Sequence, residues 1–474
     1  MILSRRDLLR TAAIPLAARA QTRKRPNILF LLSDDQRFDT VAALGNREIR
    51  TPNLDRLVRR GTSFDHAAIM GGTVGAVCIP SRAMLLTGQT LFHLHESIVA
   101  PKDGETRGRP FEMFPETFRK AGYETFGIGK WHNGPRLYAR CFDQGGPIMF
   151  GGMSDHLKVP IHDFNSKGAY PSSAARTGDR FSSEMFSDAA IGFLKGRDKQ
   201  KPFLMYAAYT APHDPRMAPK AYAEMYPPSK IRLPKSSLPE HPFDNGELKV
   251  RDEQLAPWPR TPGVVREHIS AYYAMITHLD AQIGRVLAAL DESGETANTI
   301  VVFAGDNGLA VGRHGLFGKQ NLYDHSVRVP LVLSGPGIPR GRRNSSLCYL
   351  LDVFPTLCEL TGVATPPTVE GRSIAAAFGR PRARLRDSLF FAYRSFQRAV
   401  RTDEWKLIRY NAGGRENTQL FNIESDPWEI TNLVGETRHA ARLKEMKALL
   451  KDWMKKVDDP LDLDKPNWGQ PSRG

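Results

Sequence analysis

The chain has 474 residues, with 66 Lys and Arg against 51 Asp and Glu, which gives a formal charge of +15. Its 41% hydrophobic residues, 40 glycines and 34 prolines are typical of a globular protein and exclude a collagen-like or low-complexity chain. Four cysteines are too few for a disulfide scaffold. No apolar run beyond the N-terminus approaches the roughly 18 residues of a membrane-spanning helix, so we expect no stable membrane anchor.

The first twenty residues predict a twin-arginine signal peptide. An Arg-Arg pair at positions 5 and 6 precedes a weakly apolar stretch, and residues 18–20 (Ala-Arg-Ala) fit an A-x-A cleavage site. We therefore expect export through the Tat machinery to the periplasm or medium of a bacterium. An amphipathic helix is the alternative, which the small residues at the end of the segment disfavour. Removal of residues 1–20 leaves a charge of about +12, so the mature protein stays basic.

Short runs of β-branched and aromatic residues, bounded by Gly, Pro or charged residues, predict five buried strands. They cover residues 27–32, 124–128, 203–209, 299–304 and 331–333. Apolar residues with helical spacing occupy residues 51–60 and 268–290. This alternation predicts an α/β fold with a large, mostly parallel central sheet and helices on both faces.

Polar clusters follow four of the predicted strands. They comprise residues 33–35, 129–132, 211–214 and 305–308. Because ligands of open α/β sheets bind beyond the carboxyl ends of the strands, we expect the four clusters to converge. Each cluster alone is equally typical of a turn. Four together, rich in acids, lysine and histidine, favour a binding site.

Four oxygen ligands come from two of these clusters, namely Asp34, Asp35, Asp306 and Asn307. Carboxylates packed this closely repel one another unless a cation neutralises them. All-oxygen coordination suits Ca²⁺, or alternatively Mg²⁺, rather than zinc. A helix cap for the Asp pair and a hairpin turn for Asp-Asn-Gly are the alternatives.

The segment from Cys78 to Gly88 has the pattern Cys-x-Pro-Ser-Arg followed by Leu-Thr-Gly. This resembles the signature of the type I, formylglycine-dependent sulfatases of the alkaline phosphatase-like superfamily. The resemblance implies that Cys78 is oxidised to Cα-formylglycine by a formylglycine-generating maturase. A buried free cysteine beside a proline turn is the alternative, but it leaves the Ser-Arg and Leu-Thr-Gly offsets unexplained.

The resemblance extends along most of the chain. The two acidic clusters resemble the family's metal pairs, with Cys78 as a further metal ligand, and other residues match its Gly-Lys-x-His, Pro-His and His-Gly-x-x-x-Lys elements. The matching residues are Lys130 and His132, His213, and His314 with Lys319. Arg313 departs from the family, because many members carry an acid there.

The resemblance also implies roles. Asp306 is expected to assist deprotonation of a formylglycine hydroxyl, His213 to protonate the leaving alcohol, and His132 to promote release of sulfate. Lys130, Lys319 and the metal should bind the sulfate, because its charge needs fixed cations. Arg82 is expected to orient the formylglycine hydrate, and a structural role for His314 is as plausible as a substrate contact.

The sequence indicates the residues that contact the substrate less clearly. His93 and His95 follow the signature, and His156 lies in a loop-like insertion at residues 151–164; we expect sugar contacts from them, with exposed connections as the alternative. The Pro-rich residues 213–265 are expected to wall the pocket. Export and basic charge favour a sulfated polysaccharide or oligosaccharide, although a lipid or aryl sulfate remains open. No basic helix or aromatic-basic repeat indicates nucleic acid.

Two domains are expected after the signal peptide. Residues 21–385 should form the catalytic domain, and residues 386–474 a smaller C-terminal α+β domain with a small antiparallel sheet and a helix near residues 440–457. Two rival functions remain: a phosphate or phosphonate ester hydrolase of the same superfamily, and a non-catalytic sulfated-glycan binder in which Cys78 is unmodified.

Overall fold

The computed structural model describes residues 25–100, 108–381, 383–465 and 468–469; the predicted signal peptide lies outside them. Strands β1–β15 run over Asn27–Ser33, Gly61–Ala68, Gly71–Gly72, Glu124–Trp131, Gln144–Phe150, Pro160–Ile161, Arg176–Thr177, Phe203–Ala208, Thr299–Gly305, Leu331–Ser334, Arg342–Tyr349, Leu389–Tyr393, Gln397–Arg401, Trp405–Ala412 and Arg415–Asn422. Helices α1–α11 run over Pro52–Arg60, Cys78–Thr87, Glu96–Val99, Phe114–Lys120, Pro135–Cys141, Ser182–Gly196, Lys220–Ala223, Pro262–Glu292, Asp324–Val327, Val353–Thr361 and Ala440–Lys456.

The large sheet has eight strands in the order β11-β2-β10-β9-β1-β8-β4-β5. Strand β10 is antiparallel to both of its neighbours, and the other pairs are parallel. The predicted mostly parallel sheet is confirmed, and the five predicted strands correspond to β1, β4, β8, β9 and β10. The sequence analysis missed β2, β5 and β11, which contain Gly, Asp, Pro or Asn, residue types that are depleted in strands in general.

Helices cover both faces of this sheet because its central strand is apolar on both. In β1, Phe30 and its alternate neighbours pack into one core, while Leu29 and Leu31 pack into another. Helix α2 contributes Leu85 to the first core, and the 31-residue helix α8 contributes Leu279 to the second. Within the described residues, no helix combines the length and apolarity needed to cross a bilayer.

A smaller sheet has the order β15-β14-β13-β12-β3. Strands β12–β15 pair antiparallel, and the two-residue β3 joins them in parallel at β12. This contact requires glycine, because a Cβ on Gly71 would lie 2.1 Å from the carbonyl oxygen of Ala392. The C-terminal sheet and helix α11 are as expected from the sequence, and the boundary near residue 385 stays a prediction.

A buried ionic cluster joins the small sheet to the catalytic region. Asp324 on α9 accepts hydrogen bonds from Arg401 Nη1 at 2.6 Å and Lys406 Nζ at 2.8 Å. Lys406 also lies 2.7 Å from Glu429 Oε1, and its side chain is fully buried. Burial opposes ionisation of Asp324, but the charges of Arg401 and Lys406 hold its pKa well below the ordinary value. Asp324 is therefore ionised at neutral pH.

We predict that Lys406→Met destabilises the protein by about 3–5 kcal/mol, because it leaves the buried carboxylates without their shared cation. The matched control is Lys451→Met, which removes an exposed pair with Asp464 at 2.7 Å and should cost less than about 1 kcal/mol. Urea unfolding midpoints measure both changes. Equal shifts in the two variants would show that the buried cluster contributes no more than a surface ion pair.

Candidate active site

Four adjacent strands bring their carboxyl ends to one place, because β9, β1, β8 and β4 are consecutive neighbours in the sheet. Asp34 and Asp35 follow β1, Asp306 and Asn307 follow β9, and His213 lies beyond β8. Lys130 is within β4 rather than after it, since β4 pairs with β5 as far as Trp131. The structure thus brings the four predicted clusters together.

The turn after β1 directs two consecutive carboxylates into the site. Asp35 has φ of +62°, a left-handed conformation that Asp tolerates better than most residues. Its amide donates a hydrogen bond to Asp306 Oδ1 at 3.0 Å, and the amide of Asp34 donates to the carbonyl of Ala211 at 3.0 Å. The backbone therefore fixes the two acidic turns relative to each other.

Three of the four predicted metal ligands have a side-chain oxygen without a hydrogen-bond partner among the described residues, whereas both oxygens of Asp306 accept hydrogen bonds. Lys130 Nζ lies 2.5 Å from Asp34 Oδ2, and Lys319 Nζ lies 2.6 Å from Asp35 Oδ1. The oxygens left without a hydrogen-bond partner among the described residues are Asp34 Oδ1, Asp35 Oδ2 and Asn307 Oδ1. Unsatisfied buried oxygens are costly, and an oxygen-coordinated cation satisfies them. The residues present therefore fit a hard divalent cation.

The pKa values of the buried carboxylates also favour a bound cation. Burial raises the pKa of Asp34 to about 8, and the negative charge of Asp306 adds to the rise. Burial also opposes ionisation of Asp306, but Arg82 and Lys130 outweigh it and lower its pKa to about 2. Carboxylates this close cannot all ionise without further positive charge, which a bound cation would supply.

Cys78 is the first residue of α2 and lies beside this cluster. Three atoms lie within 4.8 Å of one another: Cys78 Sγ, one carboxylate oxygen of Asp34 and one of Asp306. His132 Nδ1 is 3.3 Å from Sγ, and Lys130 Nζ is 3.8 Å from it. Burial raises the pKa of the Cys78 thiol, and the neighbouring lysines offset only part of the rise. An unmodified thiol here is therefore a poor nucleophile.

The spacing of Ser81 and Arg82 after Cys78 has a structural reason in this chain. Arg82, one turn after Cys78, donates from Nε to Asp306 Oδ2 at 2.8 Å and from Nη1 to the carbonyl of Lys130 at 2.9 Å. Ser81 Oγ donates to the carbonyl of Asp306. Both side chains thus attach the helix that carries Cys78 to the acidic turn after β9.

His213 is held at one ring nitrogen and faces the site with the other. Its Nδ1 lies 2.9 Å from the carbonyl oxygen of Asp214, and its Nε2 is 3.5 Å from Asp35 Oδ2. Burial, with the charges of Lys319 and Lys130, holds the pKa of His213 well below its ordinary value. The imidazole is therefore neutral at neutral pH.

Arg251 is a site residue that the sequence analysis did not single out, and it pairs with Asp214, the last residue of the predicted cluster at 211–214. Arg251 makes a two-pronged ion pair with Asp214, and Nη2 lies 3.0 Å from Oδ1. Arg251 comes from the irregular segment before α8, which has no periodic pattern to indicate its position. Only the adjacency of Asp214 to His213 could have drawn attention to the pair.

A pocket of about 270 Å³ opens over Cys78, roughly at the lower end of the size of small-molecule sites. Its floor includes Cys78, His132, His213 and Lys319. Its walls come from the two segments expected to contact substrate, with Gly152 and Met153 from one and Val250, Arg251 and Asp252 from the other.

Four predicted sugar-contacting histidines lie outside the lining of this pocket as the described residues form it. The ring nitrogens of His93 lie 2.5 Å from Glu370 Oε1 and 2.9 Å from Asp458 Oδ2. His314 stacks on Tyr323 with ring centroids 4.0 Å apart. His95 accepts a hydrogen bond from the amide of Ser97, and His156 Nε2 lies 2.9 Å from the carbonyl oxygen of His213. Their contact with substrate stays a prediction.

Comparison with known families identifies the chain. The fold is that of the alkaline phosphatase-like superfamily, and the family model described as Sulfatase matches residues 26–363. The chain belongs to the sulfatase family, as the signature predicted, and is a sulfuric ester hydrolase. A second model, described as N-sulphoglucosamine sulphohydrolase, C-terminal, matches residues 312–456.

Similar proteins span nearly the whole chain. The N-acetylglucosamine-6-O-sulfatase of Bacteroides thetaiotaomicron is 27% identical over 95% of this chain and 91% of that protein. A solved structure in complex with its substrate D-glucosamine-2-N,6-O-disulfate has a TM-score of 0.75 at 24% identity, covering 92% of this chain and 99% of that one. The phosphonate monoester hydrolase of Agrobacterium radiobacter has a TM-score of 0.72 at 22% identity, covering 91% and 96%. These two structures show the shared fold alone, which therefore does not separate sulfate from phosphonate chemistry.

We predict that Ca²⁺ raises the thermal unfolding temperature of the protein and that a chelator reverses the rise. At a free concentration of 100 times Kd the ion should stabilise the folded state by about 2.7 kcal/mol. In Asn307→Ala, which removes one of the oxygens without a partner, the midpoint should need a higher Ca²⁺ concentration to rise. Asn298→Ala, outside the cluster, should respond as the parent does. An unfolding temperature independent of Ca²⁺ and Mg²⁺ would contradict a cation site.

Proposed function

We propose that the protein hydrolyses sulfate esters of a sulfated polysaccharide or its oligosaccharides, using formylglycine derived from Cys78 and a bound divalent cation, Ca²⁺ in preference to Mg²⁺. The observation that carries this proposal is the position of Cys78, between two buried lysines and a set of acids with oxygens left to coordinate. When present, the hydrated aldehyde supplies the attacking hydroxyl and a second hydroxyl that allows sulfate release, and the cation polarises the ester.

Modification of Cys78 is supported by its surroundings. The raised thiol pKa makes the unmodified side chain unreactive, although its place at the centre of the cluster is where a nucleophile is needed. A maturase that acts on the chain before folding resolves this conflict, because Cys78 is only 1% exposed in the folded protein.

The lysines supply the sulfate site. Lys130 and Lys319 are almost fully buried, so their charges act at low dielectric and are strong. Each is already oriented by one carboxylate, Asp34 or Asp35, and therefore needs little reorganisation when sulfate arrives. Arg82 holds Asp306 and the carbonyl of Lys130, which fixes the orientation of both around the nucleophile.

Proton transfer is assigned to the two histidines of the pocket. The Nδ1–H of His213 donates to the carbonyl oxygen of Asp214, so Nε2 is the atom that faces the leaving alcohol. Nε2 can give a proton to that alcohol only from the imidazolium form, which the negative charge of a bound sulfate favours. His132 Nδ1 lies beside position 78 and can accept a proton from a group attached there. Asp306 is close enough to position 78 to assist deprotonation of the nucleophile.

The substrate class rests on charge and location. The protein is basic and carries a predicted Tat signal, which together favour an anionic polymer met in the bacterial periplasm or medium. The printed name of the Bacteroides relative, an N-acetylglucosamine-6-O-sulfatase, supports a glycan substrate. The likeness to a phosphonate monoester hydrolase keeps phosphonate and phosphate esters as the rival substrates.

Cys78 chemistry and substrate class can be tested together. We predict that mass spectrometry of protein from a maturase-containing host finds an aldehyde in place of the Cys78 thiol, and that this protein cleaves an aryl sulfate faster than the matching aryl phosphate. Cys78→Ala should lose this activity, while Cys141→Ala, buried away from the site, should keep it. Full sulfatase activity with an intact thiol would exclude the formylglycine proposal, and faster phosphate cleavage would favour the rival hydrolase.

We predict that Lys130→Ala lowers kcat/KM for an aryl sulfate roughly 100- to 1,000-fold, the usual loss when one transition-state donor is removed. The control is Lys158→Ala, which removes an exposed lysine of the 151–164 segment and should leave kcat/KM within about twofold. Similar rates for Lys130→Ala and the parent would remove Lys130 from the sulfate site.

A further inference from the structure

A cleft of about 380 Å³ lies at the edge of the large sheet opposite the active site. It is bounded by α1, the end of α8 and the loop that follows β10. Thr299, the first residue of β9, lines it, whereas Asp306 follows the other end of the same strand. At about 3.3 Å per residue, the cleft is roughly 20 Å from the catalytic cluster. It is a separate surface from the pocket over Cys78.

Three arginines and one acid line this cleft. Arg56 and Arg60 come from one face of α1, and Arg340 comes from the loop after β10. The acid, Asp291, lies 3.2 Å from Arg60 and 3.7 Å from Arg56. One carboxylate against three guanidinium groups leaves the lining positively charged.

Two more arginines extend the positive surface at its rim. Arg59 is in the last turn of α1, and its carbonyl oxygen is 3.8 Å from where a Cβ on Gly341 would stand. Arg342, next to that glycine, pairs in register with Thr62 at the start of β2. Arg59, Arg340 and Arg342 are exposed. Within the described ranges of the chain, their guanidinium groups make no ion pair or hydrogen bond with another residue.

We propose that this arginine cleft, formed by Arg56, Arg59, Arg60, Arg340 and Arg342, binds a sulfated polysaccharide chain and holds the enzyme on its polymer. The choice of a sulfated polymer rests on the proposed function, but the binding does not depend on turnover. Guanidinium groups bind the oxygens of sulfate in pairs. Arginines three and four residues apart on α1 are neighbours about 5–6 Å apart, which suits a chain with repeated sulfates better than one small anion.

The side chains that line the cleft distinguish between two classes of polyanion. Single-stranded nucleic acid is the other polyanion to consider, and it binds through aromatic side chains on which bases stack. Among the described residues, the lining holds no aromatic side chain. The cleft therefore favours a sulfated sugar chain.

The test compares two triple variants of the full, matured chain on heparin–agarose. Arg59→Gln/Arg340→Gln/Arg342→Gln removes the three unpaired guanidinium groups. The matched control, Arg415→Gln/Lys444→Gln/Lys447→Gln, removes the same formal charge from exposed positions of the C-terminal region. We expect the cleft variant to elute at clearly lower salt than the control. The slope of log affinity against log salt should fall by about one for each ion pair lost.

Both variants should hydrolyse a small aryl sulfate at the parent rate, because neither touches the catalytic cluster. On a sulfated polysaccharide at low concentration, the cleft variant alone should be slower. Equal elution of the two variants would overturn the proposal, and so would a cleft variant that loses affinity for single-stranded DNA but not for heparin. Since retention needs no turnover, loss of all sulfatase activity in the parent would count against the proposed function and not against the cleft.

Discussion

The burial of three carboxylates at one point is the constraint on which the rest of the catalytic region depends. Asp34, Asp35 and Asp306 are all fully buried, and such a cluster is unstable without matched positive charge. The protein supplies one cation to each acid from a different element: Lys130 from β4, Lys319 from the loop before α9, and Arg82 from α2. These ion pairs fix the relative positions of elements that are far apart in sequence.

The same constraint prepares the site for its ligands. The two lysines bind one oxygen each of Asp34 and Asp35 and leave the other without a hydrogen-bond partner among the described residues, so oxygens for a divalent ion are in place before the ion arrives. The C-terminal sheet supports this arrangement indirectly. Strand β3 pairs with β12 only a few residues before Cys78, and the buried Lys406 joins Asp324 to Glu429 below the loop that carries Lys319.

Much of this arrangement could be predicted from the sequence, and the failures have physical causes. The central strands are buried on both faces, so their apolar runs identify them, and the polar residues after each run identify the site. Strands β2, β5 and β11 lack such runs and form because neighbouring strands pair with them. Arg251 joins the pocket from an irregular segment without periodicity. His93 is adjacent to the signature in sequence, but Glu370 and Asp458, 277 and 365 residues away, hold its ring nitrogens.

The net positive charge of the chain is not located in the active site. Lysines and arginines in the catalytic cluster are matched by its acids, so the excess of about +12 in the chain without its predicted signal peptide must lie elsewhere. The arginine cleft is one such region, and its unpaired groups are in contact with solvent. At physiological salt, exposed charges are screened over about 8 Å, which is well short of the roughly 20 Å to Asp306. Electrostatic attraction of a polymer and stabilisation of a transferring sulfate can therefore be adjusted independently, one at the solvated edge of the sheet and the other in the buried cluster.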